Sequence, residues 1–153
     1  MGVLKAKVNG LWVPISAAAK PSAGQVYGID HYRSILAANT TVLNTNTNLI
    51  TIPMPAAPAG TLLDISWTIY QNQQAVGSGS TFYSVSVGPA AGALTLVTED
   101  RVSLLSYSAR TPNISPPVGV AYNVVLIGVK ASAGGTVVAT ATNTQLGIVS
   151  YRP

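Results

Sequence analysis

Apolar residues in this chain recur at every second position, in short runs broken by turn-forming clusters, and no window of eleven residues or more carries a helical stripe. Successive side chains of an extended strand point to opposite faces, whereas a helix repeats every 3.6 residues or so; the pattern therefore predicts an all-β chain. Candidate strands cover 34–43, 49–53, 62–71, 81–87, 93–97, 101–108, 121–131, 136–142 and 146–151. Between them lie 44–48, 55–60, 77–80, 88–92, 112–119 and 133–135, where Gly, Asn, Pro and Ser supply the backbone geometry of tight turns. Eight or so short strands at this spacing build a sandwich, a jelly roll or a barrel.

Two of these strands differ in what must cover them. In 62–71, Leu63, Ile65, Trp67 and Ile69 share a face with Asp64, Ser66 and Thr68 opposite, the pattern of a strand with one wet side. In 121–131, Val124 and Leu126 face one way while Val125, Ile127 and Val129 face the other, so both sides need cover. One side is assigned to the domain core and the other to a contact between subunits, which makes Tyr122, Val124, Val125, Leu126, Ile127 and Val129 the candidate interface residues. The competing assignment is a central sandwich strand with a loop across it.

Composition supports the first assignment. Hydrophobic residues make up 48% of the chain and charged ones 8%, against about 25% charged in an average soluble domain. Surplus apolar surface goes into a membrane, a large core or a subunit interface. The longest strongly apolar run, 124–129, stops at Lys130, far short of the roughly 20 residues that span a bilayer. Near the N-terminus Lys5, Lys7, Asn9 and Gly10 interrupt any signal-like apolar stretch. Membrane insertion is not expected, and a subunit interface is.

The first fifteen residues hold two short apolar runs split by Asn9-Gly10, a pair that readily takes the left-handed conformations of a type I′ turn. A β-hairpin is predicted there, with Val8, Asn9, Gly10 and Trp12 as its anchoring residues. Residues 16–25 have the Ala, Ser, Pro and Gly composition of a linker. The expected organisation is thus an anchoring hairpin and linker over 1–25 and a β-sandwich head over 26–153.

Residues able to carry chemistry are few. The chain has no cysteine, which excludes disulfides and thiolate metal sites. One histidine and four acidic residues leave any metal starved of ligands, and neither metal nor cofactor is expected. The net charge of +4 is scattered from Lys5 to Arg152, whereas nucleic-acid binding needs a concentrated basic face, so no nucleic-acid partner is expected. His31 beside Asp30 could serve a hydrolytic triad, but neighbours on an extended chain point apart, and a polar strand entrance is the favoured reading. Glu99-Asp100 could serve glycoside hydrolysis, but a turn screened by Arg101 explains the cluster better. The Gly77 to Ser80 segment lacks the Lys and the helix of a phosphate-binding loop. Exposed tyrosines with Asn and Gln suit adaptable polar recognition, and Tyr70, Gln71, Asn72 and Gln73 are the candidate recognition loop.

The opening Val3-Leu4-Lys5-Ala6-Lys7-Val8-Asn9-Gly10-Leu11-Trp12-Val13-Pro14-Ile15 resembles the lead-in hairpin before the head domains of phage minor tail proteins, in the style of actinobacterial phages. Residues 122–131, the Gly-Gly turn, 137–142 and 146–153 are similar to the last strands of trimeric jelly-roll heads of the tumour-necrosis-factor and C1q type that cap phage fibres. The resemblance implies an antiparallel jelly-roll head, a homotrimer whose doubly apolar strands line the three-fold axis, and an N-terminal ribbon contacting other virion proteins of tail or capsid. It also implies a place on the virion, with a host cell-surface glycan as a further partner. Collagen-like repeats and heptads are missing, so a capsid-decoration or head-fibre protein is an equal expectation. The competing classes are a polysaccharide hydrolase, which needs converging carboxylates, and an extracellular lectin-like module. The expectation is a protein that is not an enzyme.

Overall fold

The computed structural model describes residues 5–8, 11–14, 27–74, 80–103, 105–131 and 135–152. Period-two patterning becomes strand throughout, and no helix is found among the described residues. The strands are Lys5–Val8 (β1), Leu11–Pro14 (β2), Tyr27–Ile35 (β3), Thr40–Val42 (β4), Thr47–Met54 (β5), Leu62–Gln74 (β6), Thr81–Pro89 (β7), Thr95–Val102 (β8), Ser106–Ile114 (β9), Tyr122–Lys130 (β10), Thr136–Ala139 (β11) and Gln145–Arg152 (β12). β1 and β2 pair with Val8 opposite Leu11, which leaves two connecting residues; those residues, Asn9 and Gly10, lie outside the described ones.

From β3 onward the chain forms two antiparallel sheets. One has the order β5-β10-β7-β8, and the other the order β3-β12-β6-β11-β4 with β9 on the remaining side of β6. β11 and β12 run in line along one edge of β6, and β4 and β3 lie beside them in the same way. Taken as interrupted single strands, they leave eight strands in two sheets of order 1-8-3-6 and 2-7-4-5, which is the jelly roll.

The interruptions are matched. At one level of the sheet the Leu36 amide donates to the Thr144 carbonyl (2.9 Å) and the Ala141 amide to Asn39 Oδ1 (2.8 Å). Thr142 takes a left-handed φ of 67°, and the buried Thr144 hydroxyl accepts from the Tyr70 amide (3.2 Å) in place of a ladder carbonyl. Both strands can therefore break without orphaning a buried backbone group. For this reason the predicted strand 34–43 is interrupted at 36–39, and the predicted strand 136–142 ends at Ala139.

The core lies between the sheets. β6 contributes Leu63, Ile65, Trp67 and Ile69, as its alternation predicts, and faces Tyr83, Val85 and Val87 of β7 with Tyr122, Val124 and Leu126 of β10. Each such side chain contributes about 1.5–3 kcal/mol on burial. The core also holds Gln71, whose Oε1 accepts a 2.8 Å hydrogen bond from the Tyr83 hydroxyl. Tyr83 in turn packs where Gly128 of β10 leaves room: a Cβ there would lie 3.0 Å from its ring and 3.1 Å from Val42.

Two further expectations are corrected by the ladders. The predicted strand 101–108 spans the end of β8 and the start of β9, because Val102 pairs with Thr81 of one sheet and Ser106 with Tyr70 of the other. Glu99, Asp100 and Arg101 are not a turn but part of β8, an outer strand of its sheet. Charge on an edge strand discourages pairing with another chain's strand, which gives the cluster a structural use. β9 carries Pro112, tolerated because that strand pairs only with β6.

Candidate functional site

The two outer faces of the sandwich are chemically unlike. On the outside of the four-stranded sheet, register places Leu96, Ser86, Val125 and Thr51 side by side. The next rows are Glu99, Ser84, Ile127 and Asn48, then Arg101, Phe82 and Val129. Among the described residues, charge on this face is confined to Glu99 and Arg101 at its β8 rim. Val125 and Ile127 are 2% and 6% exposed and stand apart from the core cluster, so they form the floor of a second apolar layer. Leu96, 57% exposed, stands at one end of that floor, and Phe82 and Val129, half-buried, lie two rows along at the other.

The outside of the other sheet is largely a hydrogen-bonded polar surface, with Ile35 and Tyr70 exposed among its polar groups. Arg110 of β9 clasps Asp64 of β6, with Nε at 2.8 Å from Oδ1, and this bond holds the carboxyl below its ordinary range. Arg33 bonds Gln145, Thr68 Oγ1 lies 2.9 Å from Ser108 Oγ, and the Tyr151 hydroxyl donates to Asn113 Oδ1 (2.6 Å). Groups already paired this way lose hydration if covered, so this face is suited to water.

A third feature lies at one end of the sandwich, where 55–61, 89–94 and 115–121 meet without a single charged residue. The Gly119 amide donates to the Ala57 carbonyl (2.8 Å) and the Ala90 amide to the Ala121 carbonyl (3.0 Å), tying the three loops together. Beside them opens a cavity of about 140 Å³. Its inner wall is Tyr32, Tyr122 and Met54, its rim includes Pro55 and Pro58, and Asp30 and Arg152 line it as well. Burial, with Tyr32 nearby, pushes the Tyr122 hydroxyl up to about 12.

The sequence-predicted residues divide among these places. Of the six candidate interface residues, Tyr122, Val124 and Leu126 belong to the core instead, because β10 is a central strand whose other side faces β6 and its neighbours. Val125, Ile127 and Val129 are left on the outer face. The predicted recognition loop is no loop: Tyr70, Gln71, Asn72 and Gln73 continue β6, paired with Ser106, Ala139, Val138 and Val137. Gln71 is buried, while Tyr70 is exposed. Of the anchoring hairpin, Val8 and Trp12 lie in β1 and β2, and Asn9 and Gly10 fall outside the described residues.

Asp30 and His31 pair with Ser150 and Val149 at successive rungs, so they point to opposite faces and do not converge. Glu99 and Asp100 diverge likewise, opposite Ser84 and Tyr83. Among the described residues no group of three His, Asp or Glu could hold a metal ion. Sequence reasoning missed the end cavity altogether, since Asp30, Tyr32, Tyr122 and Arg152 meet only through the pairing of β3 with β12 and the packing of one sheet on the other.

No protein-family profile and no curated protein matches the chain. Solved structures do. Dimeric latent PorU from Porphyromonas gingivalis matches 88% of the chain at 12% identity and a TM-score of 0.53, and the chain spans 14% of the PorU chain. A protein of the Bacillus endospore appendages, which are disulfide-linked pili, matches 90% of this chain and 97% of its own at 12% identity and a TM-score of 0.40. The structure of the infectious bursal disease virus Gx strain matches 97% of this chain and 46% of its own at 10% identity and a TM-score of 0.44. Of these three, the PorU likeness, with a TM-score above 0.5, speaks to the architecture, and it speaks to the sandwich alone.

Proposed function

We propose that this chain is a structural, non-enzymatic module of a virion surface that self-associates as a homotrimer through the outer face of its four-stranded sheet. In this reading it is the head of a phage minor tail or fibre protein, or a capsid decoration, and β1 and β2 bind other virion proteins. The observation that carries the reading is the contrast between the outer faces: one is largely paired and polar, the other nearly uncharged, with Leu96 exposed and Phe82 and Val129 half-buried over Val125 and Ile127, which the chain itself already covers. A second copy is the occupant that fits, because Glu99 and Arg101 at the rim give every copy one acceptor and one donor for its neighbour. A standard interface takes about 800 Å² from each partner, under a tenth of the 9036 Å² surface of the chain.

Sedimentation of the purified protein tests this directly. The expected result is a trimer mass for the natural chain and a folded monomer for Leu96→Glu, whose side chain is exposed enough to change without entering the core. A natural chain that sediments as a monomer overturns the reading. A Leu96→Glu variant that remains trimeric places the interface on another face and overturns the assignment. Imaging the protein on intact particles then separates tail from capsid.

A further inference from the structure

We propose that the end cavity over Tyr32 and Tyr122 is a binding site for one neutral sugar ring. The inference goes beyond the reading above: the site is complete within one chain and does not need self-association. The first argument is size. At about 140 Å³ the cavity is well below the roughly 300–1,000 Å³ of drug-sized sites, so it admits one small ring or its edge.

The second argument is the lining. Asp30 offers carboxylate oxygens that accept from hydroxyls, and Arg152 offers N–H groups that donate to them. A ligand carrying net negative charge would face Asp30, and a cation would face Arg152; a neutral polyol satisfies both. Tyr32 and Tyr122 add hydroxyls that donate and accept, while their rings with Met54, Pro55 and Pro58 present apolar surface to the C–H groups of a sugar.

The third argument is Tyr122 itself. It is only 2% exposed, yet its hydroxyl makes no hydrogen bond to any other described residue. Nor is it among the sealed, partnerless buried atoms, which are Trp67 Nε1 and Thr81 Oγ1. A buried tyrosine normally finds a partner for its hydroxyl. This one opens on the cavity instead, where a ligand hydroxyl completes it.

The test is nuclear magnetic resonance titration of the full chain with D-glucose, D-galactose, D-mannose and L-rhamnose, each to about 10 mM, ten times a dissociation constant near 1 mM. At least one sugar should shift the amides of residues 30, 32, 57 and 122, and not those of 66, 68 and 108 on the polar face. D-glucuronate and D-glucosamine, which carry a charge, should bind more weakly than their neutral parent. Asp30→Asn and Tyr32→Phe should each weaken binding about tenfold or more, and Thr68→Ala should leave it unchanged. No shift from any neutral sugar, or tighter binding of either charged sugar, overturns the proposal. A natural chain that is trimeric yet binds no neutral sugar refutes this site alone and leaves the self-association reading standing.

Discussion

Two glycines with the same clearance should respond in opposite ways to the same added methyl group. A Cβ at Gly128 of β10 would lie 3.0 Å from the Tyr83 ring and 3.1 Å from Val42. A Cβ at Gly147 of β12 would lie 3.0 Å from Ser66 Oγ. Neither glycine has a left-handed φ, so in both cases alanine gains about 0.5–1 kcal/mol over glycine in a strand. What differs is whether the neighbour can yield. The Tyr83 ring is buried and tethered to Gln71 by its hydroxyl, and Val42 is sealed in the core, so overpacking costs about 1–3 kcal/mol. Ser66 is exposed and its hydroxyl rotates away. Gly128→Ala should therefore lose about 1–2 kcal/mol net and melt several degrees lower, at about 2–4 °C per kcal/mol for a chain this size, while Gly147→Ala holds or rises slightly. Urea unfolding followed by far-ultraviolet circular dichroism measures both. Val42→Ala should cost about 1 kcal/mol less in the Gly128→Ala background than alone, because it vacates the contested space. A Gly128→Ala variant as stable as Gly147→Ala refutes the packing argument.

Two titrations follow from the ionisable groups. The Arg110 hydrogen bond lowers the Asp64 pKa in the fold, so its stabilisation is present above the unfolded value near 3.8 and lost as pH falls through the lower folded value. Arg110→Gln should erase that acid-side slope; an unchanged acid melting profile argues against the pair. Tyr122 runs the other way, since burial raises its pKa to about 12. Stability should be full below about 10 and decline as pH rises from there through about 12, and Tyr122→Phe should make that decline shallower, the remainder coming from Tyr83, whose burial also raises its pKa. Spectrophotometric titration of the folded protein that finds all tyrosines ionising near 10 contradicts the assignment.

What the sequence could say about the fold, it said through period-two patterning. Leu63, Ile65, Trp67 and Ile69 fall on the buried face of β6 because alternation is a local property of a strand. Where the reading failed, the deciding contact was distant. Gln71 looks like a loop residue until Tyr83 bonds its side chain and β11 pairs its backbone. The break between β8 and β9 is hidden because 101–108 reads as one strand, and only pairing with different sheets divides it. The two-faced pattern of β10 was legible, but not which side was core, because period two has no sign until a second sheet is placed. The end cavity needs four segments brought together, and no single segment signals it.

β12 is an interior strand whose two neighbours both precede it. It lies between β3 and β6, so it fills a slot whose walls were made far earlier. During synthesis that sheet cannot close until β12 has left the ribosome, and meanwhile β3 and β6 present unpaired edges toward each other. A chain cut short before β12 keeps an open seam able to capture a strand from another molecule, and β12 seals that seam from within the same chain.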